Sequence, residues 1–182
     1  MSLILFVMDF SKLAKRGIDI LSTLNQSNSQ PEKGNDISVA KIISVLKNKI
    51  NLPVSILRET QYVGESKEGK IQKNILKQLQ DIYGKEKVQK EYNVGGYWGM
   101  RCDVDLFDGK IGIELKVAEQ LKKSAHVERL IGQAVYYTKR KYGKGNLIVL
   151  VVGKRKEYDA SMKEIETIIT ELGAKFLYKS VD

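Results

Sequence analysis

The segment "RCDVDLFDGKIGIELK", residues 101–116, restricts the fold more than any other part of the chain. Its Asp108-Gly109 pair is a strong signal for a two-residue hairpin, because both central positions of a type I′ turn take φ > 0. A loop that short fixes the register: Phe107 opposite Lys110, Asp105 opposite Gly112, Asp103 opposite Glu114. Alternation then sorts the side chains. One face carries Arg101, Asp103, Asp105, Phe107, Lys110, Gly112, Glu114 and Lys116. The other carries Cys102, Val104, Leu106, Ile111, Ile113, Leu115 and Val117, an apolar surface suited to a core.

Directly opposed side chains on a strand pair have Cβ atoms about 4.5–5.5 Å apart, and like charges there are destabilising. Asp103 and Glu114 in that position call for a compensating charge. A divalent cation supplies it, since hard oxygen ligands suit Mg²⁺ or Mn²⁺. Gly112 leaves space beside them, and Lys116 follows on the same face. The same residues also fit an exposed hairpin face, with charges screened by water and paired to Arg101 and Lys116. Asp105 faces only Gly112, so it ranks as an accessory at most.

The flanking chain reads as an ordered series. Residues 9–24 look helical, a polar loop with Pro31 and Gly34 follows, and Asp36 is a candidate cap for a helix ending near Lys49. Residues 54–63 are ambiguous between strand and helix. Ile71, Ile75, Leu79 and Ile82 give residues 66–83 a helical period that Gly84 ends. Residues 87–94 alternate like a strand, and a Gly-rich turn with Tyr97 and Trp98 leads into the hairpin. A long helix spans 125–142. The apolar run 146–152 fits a strand covered on both faces. A helix over 158–172 and a last strand complete the chain. The order predicts an α/β fold with a mixed central sheet, helices on both sides and a helical N-terminal arm, divided as 1–64 and 65–182.

The net charge of +9 suggests nucleic acid, an acidic membrane surface or an acidic partner, or simply a Lys-rich surface. Cys102 is the only cysteine, so no internal disulfide or thiolate zinc cluster can form within one chain. A reducing, cytoplasmic setting is expected. The apolar opening, residues 1–8, has no basic flank and no small-residue cleavage site, so neither a signal peptide nor a membrane association is expected. His126 is the only histidine, which removes mechanisms that need two.

Asp103, then Glu114-Leu115-Lys116, then a helix bearing Gln133 and Tyr137 in a QxxxY spacing resembles the PD-(D/E)XK nuclease superfamily. The likeness covers about half the chain and leaves the N-terminal arm unexplained. It implies a restriction-endonuclease-like core of helix, three-stranded meander, helix and strand. It further implies a metal-dependent deoxyribonuclease. Asp103, Glu114 and the Leu115 carbonyl would hold Mg²⁺ or Mn²⁺, Lys116 would position the nucleophile, and Gln133 and Glu68 would support the site. Arg129, Tyr137, Lys139, Arg140 and Trp98 are the expected DNA contacts, with Lys154, Arg155 and Lys156 adding basic charge. Two forms of the activity are open. One is a structure-selective endonuclease for branched DNA in recombination or repair, similar to Holliday-junction resolvases and expected as a homodimer. The other is a RecB-like nuclease for ends or single strands. A non-catalytic DNA-binding module on the same fold, or a basic protein-interaction domain, are the readings from other classes.

Overall fold

The computed structural model describes residues 37–58, 66–95 and 100–182. The expected helix over 9–24, the loop after it, Asp36, Tyr97 and Trp98 lie outside the described residues.

Helix α1, Val39–Asn48, begins at Ser38, whose hydroxyl accepts from the Lys41 amide. A short 3₁₀ turn, Val54–Leu57, follows Pro53. Helix α2, Lys67–Tyr83, is capped by Ser66, which accepts from Gly69 at 3.0 Å, and it stops at Gly84 with φ 94°. Strands β1, Val88–Gly95, β2, Met100–Leu106, and β3, Ile111–Val117, form an antiparallel meander. Helix α3, Ser124–Tyr137, crosses to β4, Leu147–Gly153, and helix α4, Ala160–Glu171, crosses to β5, Lys175–Ser180. The crossovers make β3, β4 and β5 parallel, so the five strands lie in the order β1-β2-β3-β4-β5 in one mixed sheet.

Both faces of the sheet are covered. Ile42 and Leu46 of α1 and Ile71, Ile75 and Leu79 of α2 pack on Val104, Ile113, Leu115, Ile148 and Leu150. Leu130 and Ala134 of α3 and Ile165 and Ile169 of α4 pack on Leu147, Val149 and Val151 from the other side. Every residue of β4 is buried, which accounts for its unbroken apolar run. Among the described residues no helix is long and apolar enough to cross a membrane.

The described part of the expected N-terminal arm belongs to this core. Ile42 and Leu46 are fully buried in one cluster with α2 and the sheet. The Lys179 ammonium of β5 donates to the Leu46 carbonyl at 2.8 Å and the Lys47 carbonyl at 3.0 Å. It thereby satisfies two orphan carbonyls at the end of α1. The boundary expected at residue 65 is therefore crossed by continuous apolar packing.

Of the three pairs expected in the hairpin, Asp105 opposite Gly112 is formed, Phe107 and Lys110 lie in the turn, and the ladder stops at Val104 and Ile113, so Asp103 and Glu114 are not a ladder pair. The loop is wider than expected. Leu106 and Ile111 are the last ladder residues, and Phe107, Asp108 and Gly109 all take positive φ. The Asp105 carboxylate closes this turn by accepting from Gly109 N–H at 2.7 Å. Cys102 departs from its expected face and packs with α3 and β4. The pairing of β2 with β3 has ended at Val104, and Glu91, across from Asp103 in β1, is left-handed at φ 52°. Regular alternation fails where β2 has lost its β3 partner and pairs with β1 alone. The Cys102 thiol, donating to the Ile113 carbonyl at 3.3 Å, is held protonated by burial and is unreactive.

Candidate active site

The site sits where β2 and β3 separate. Their ladder runs from Leu106/Ile111 to Val104/Ile113 and stops. Beyond it the Asp103 carboxylate turns into the gap, and its Oδ2 accepts from the Leu115 amide at 2.7 Å. Gln72, on α2, fixes this residue from below: its amide donates to the Asp103 carbonyl at 2.9 Å and to Oδ1 at 3.4 Å. Sequence reasoning missed Gln72. The signal was present, since a glutamine four residues after Glu68 interrupts an apolar helix face between Ile71 and Ile75.

Glu114 is only 1% exposed and lies on β3 where β2 has parted from it and β4 remains paired. Lys116, two residues on and 6% exposed, folds back over it. The Lys116 Nζ donates to Glu114 Oε1 at 2.6 Å, to the Leu115 carbonyl at 2.8 Å and to Glu68 Oε1 at 3.4 Å. Among the described residues Glu114 Oε2 is buried with no hydrogen-bond partner. A buried carboxylate oxygen without a partner is costly. Burial, then repulsion from Asp103, pushes the Glu114 carboxyl up to about 8 despite the ammonium beside it. Burial, opposed by Lys116 and the Leu115 amide, pushes Asp103 up to about 6. Glu114, Glu68 and Asp103 together outweigh the desolvation of Lys116 and raise its pKa.

These groups line a cleft of about 240 Å³. Arg101, His126 and Arg129 line the same cleft, so it gathers carboxylates and guanidinium groups. Gln133 lines it too, and its amide has a fixed polarity. The Tyr137 hydroxyl lies 2.7 Å from the Arg101 carbonyl, which can only accept, so the tyrosine donates there. The tyrosine oxygen then accepts from the Gln133 NH₂ at 3.4 Å. Gln133 Oε1 is left buried and unpartnered, a second free acceptor in the cleft wall.

The fold therefore brings together Glu68, Asp103, Glu114, the Leu115 carbonyl, Lys116, Arg129 and Gln133. Tyr137 needs correction as a DNA contact. It is fully buried and its hydroxyl is committed to the Arg101 carbonyl, so it anchors α3 to the backbone of β2. Lys139 and Arg140 do not reach the cleft. They lie in a π turn, Thr138–Tyr142, that ends α3. Ten or more residues from Arg129, they stand about 15 Å further along the helix axis. The basic loop at Lys154, Arg155 and Lys156 is exposed just beyond the end of β4, at the same end of the sheet as Lys116. Trp98 lies outside the described residues.

The space expected beside Gly112 is filled. The π turn swings Tyr142 beneath β3, and a Cβ on Gly112 would overlap its ring. The Tyr142 hydroxyl donates to Asp105 Oδ1 at 2.9 Å. Asp105 is thus a fully buried structural anchor, with both carboxylate oxygens used.

Among the described residues no three His, Cys, Asp or Glu side chains form a ready cage for a metal. A cation here would rest on two carboxylates, one carbonyl and solvent. That all-oxygen set fits Mg²⁺, which keeps several waters, and does not fit Zn²⁺. The orphan Glu114 Oε2, and the ammonium already lodged against Glu114 Oε1 and the Leu115 carbonyl, are consistent with a cation position. The chain matches no protein-family model, no curated protein and no solved structure.

Proposed function

We propose that this protein is a metal-dependent nuclease that hydrolyses DNA phosphodiester bonds on a PD-(D/E)XK type of site. One observation carries the reading: Lys116 Nζ lies among Glu114, the Leu115 carbonyl and Glu68, in a cleft that Asp103, Arg101 and Arg129 also line. A cleft that holds both carboxylates and arginines suits a phosphodiester, which needs a cation site and charge neutralisation. The order of α2, the meander, α3 and β4 supports a restriction-endonuclease-like core.

Asp103, Glu114 and the Leu115 carbonyl would hold Mg²⁺ or Mn²⁺. Such an ion supplies Lewis acidity toward a phosphate oxygen and eases deprotonation of water. The chain does the rest. Gln72 and the Leu115 amide hold Asp103 in its rotamer. Lys116 offsets the negative charge that develops on the phosphoryl group. Gln133 Oε1 accepts a hydrogen bond from the attacking water and so orients its lone pair. Arg129 and Arg101 hold the phosphate in the cleft. Lys154, Arg155 and Lys156 bind the flanking strand in a salt-dependent way.

DNA is the proposed partner, and branched DNA in recombination or repair is the preferred substrate form. That form of the activity implies a homodimer, which sedimentation of the full chain tests. Cleavage is measured on linear duplex, single-stranded and four-way-junction DNA with Mg²⁺, Mn²⁺ or EDTA. Metal-dependent cleavage lost in Glu114→Gln and Lys116→Ala is expected. Tight binding without cleavage under any metal would replace the enzyme with a binding module on the same fold.

A further inference from the structure

We propose that the Lys116 ammonium is a resident counter-ion lodged in the cation position, so that a divalent ion binds only when Lys116 swings out. This rests on the metal-dependent reading above and adds how the site is loaded. The ammonium has three protons and three acceptors: Glu114 Oε1 at 2.6 Å, the Leu115 carbonyl at 2.8 Å and Glu68 Oε1 at 3.4 Å. Two of the three are the oxygens assigned to the metal. Mg²⁺ takes oxygen ligands at about 2.0–2.1 Å. An ammonium and a divalent ion cannot use the same lone pairs at those distances, and they repel each other.

The ammonium is also an incomplete substitute. One ammonium faces three carboxyl groups, those of Glu68, Asp103 and Glu114, and among the described residues Glu114 Oε2 is left unpartnered. A doubly charged ion that reaches both Glu114 and Asp103 favours their ionised forms and supplies that missing contact. Lys116 is 6% exposed and lines the cleft, so its side chain can turn into it. Swinging out carries the ammonium into the cleft that Arg101 and Arg129 also line, where the phosphate would lie. Loading the ion and delivering the catalytic ammonium to the substrate are then one movement. In the metal-free protein the same lysine screens the carboxylates from one another.

The apparent affinity for a metal is reduced by the fraction of molecules whose site is competent to bind it. Removing the ammonium removes that reduction. Mn²⁺ is titrated calorimetrically into the full chain, into Lys116→Met and into Glu114→Gln, without DNA. Lys116→Met is expected to bind Mn²⁺ at least about tenfold more tightly than wild type, and Glu114→Gln more weakly. Equal or weaker binding by Lys116→Met overturns the counter-ion proposal and leaves the metal reading intact. No uptake by wild type or by Lys116→Met overturns both. Should Lys116→Met fail to fold, the wild type answers alone. Acetylation of Lys116, read by peptide mass, is expected to rise several-fold when Mg²⁺ is added, and unchanged labelling overturns the proposal.

Discussion

Asp103 Oδ2 accepts from the Leu115 amide at 2.7 Å, at the point where the β2–β3 ladder has ended. The carboxylate satisfies a backbone donor that the departing strand no longer serves. Asp103→Asn keeps an acceptor there and removes one of the opposed charges, so it is expected to unfold in EDTA at or above the urea midpoint of wild type. Asp103→Ala leaves the buried N–H unpaired and is expected to cost about 1–3 kcal/mol. Both lose metal-dependent cleavage. An Asn variant destabilised as much as the Ala variant would contradict this role.

The metal-free protein is expected to lose stability as pH rises from about 4 to about 8. Asp103 is raised to about 6 and Glu114 to about 8, in each case chiefly by burial. A carboxyl that holds its proton more tightly in the folded chain stabilises the fold fully below its unfolded pKa. That contribution is lost as pH climbs through the folded value. The raised pKa of Lys116 has the same sign but acts only above its unfolded value of about 10.4, outside this window. Urea midpoints in EDTA should fall across the range, and Glu114→Gln should flatten the upper half. Mg²⁺ should reverse the trend, since it favours the ionised carboxylates.

Tyr137 and Arg129 lie two turns apart on α3 and should fail in different ways. Tyr137→Phe strands the Arg101 carbonyl and frees the Gln133 amide, at a cost of about 1–3 kcal/mol. Its affinity for DNA at fixed salt should change little, because the ring is buried. Arg129→Ala removes an exposed cation, so stability should hold within about 0.5 kcal/mol. Its DNA affinity should drop, with a salt slope shallower by about one. Urea unfolding and DNA titration at several salt concentrations separate the two.

Asp105 is expected to behave unlike Asp103. Asp105→Ala leaves the Tyr142 hydroxyl and the Gly109 amide without their acceptor, and Gly112→Ala drives a methyl group into the Tyr142 ring. Each should destabilise by about 1–3 kcal/mol through unpaired groups or overpacking. Cleavage per folded molecule should survive both. Abolished cleavage in a well-folded Asp105→Ala would reassign the two aspartates.

Much of this arrangement is written in local chemistry. The Asp108-Gly109 turn and period-two alternation put Asp105 opposite Gly112. The period of Ile71, Ile75 and Leu79, with Ser66 and Gly84 at its ends, marks α2. The apolar run of β4 announces a strand buried on both faces. Such features depend on residues a few positions apart, so the sequence carries them without the fold. Glu68, Gln133 and the Glu-x-Lys triplet could also be named in advance, as polar residues at the edge of apolar faces.

What remained depends on packing between distant segments. Gln72 meets Asp103 across 31 residues, and Lys179 meets Leu46 across 133. No periodicity encodes such distances. The π turn that carries Tyr142 beneath Gly112 leaves no trace in the helical pattern of residues 125–142. Tyr137 reads as a border residue on a helical wheel, and the paths of β2 and α3 bury it. The place of the Lys116 ammonium was likewise decided in three dimensions. A sequence determines that a lysine follows a glutamate on one face of a strand. Only the separation of β2 from β3, with the N-terminal end of α2 beside it, turns that lysine back onto Glu114, Leu115 and Glu68. There charge, burial and main-chain geometry meet at a single point.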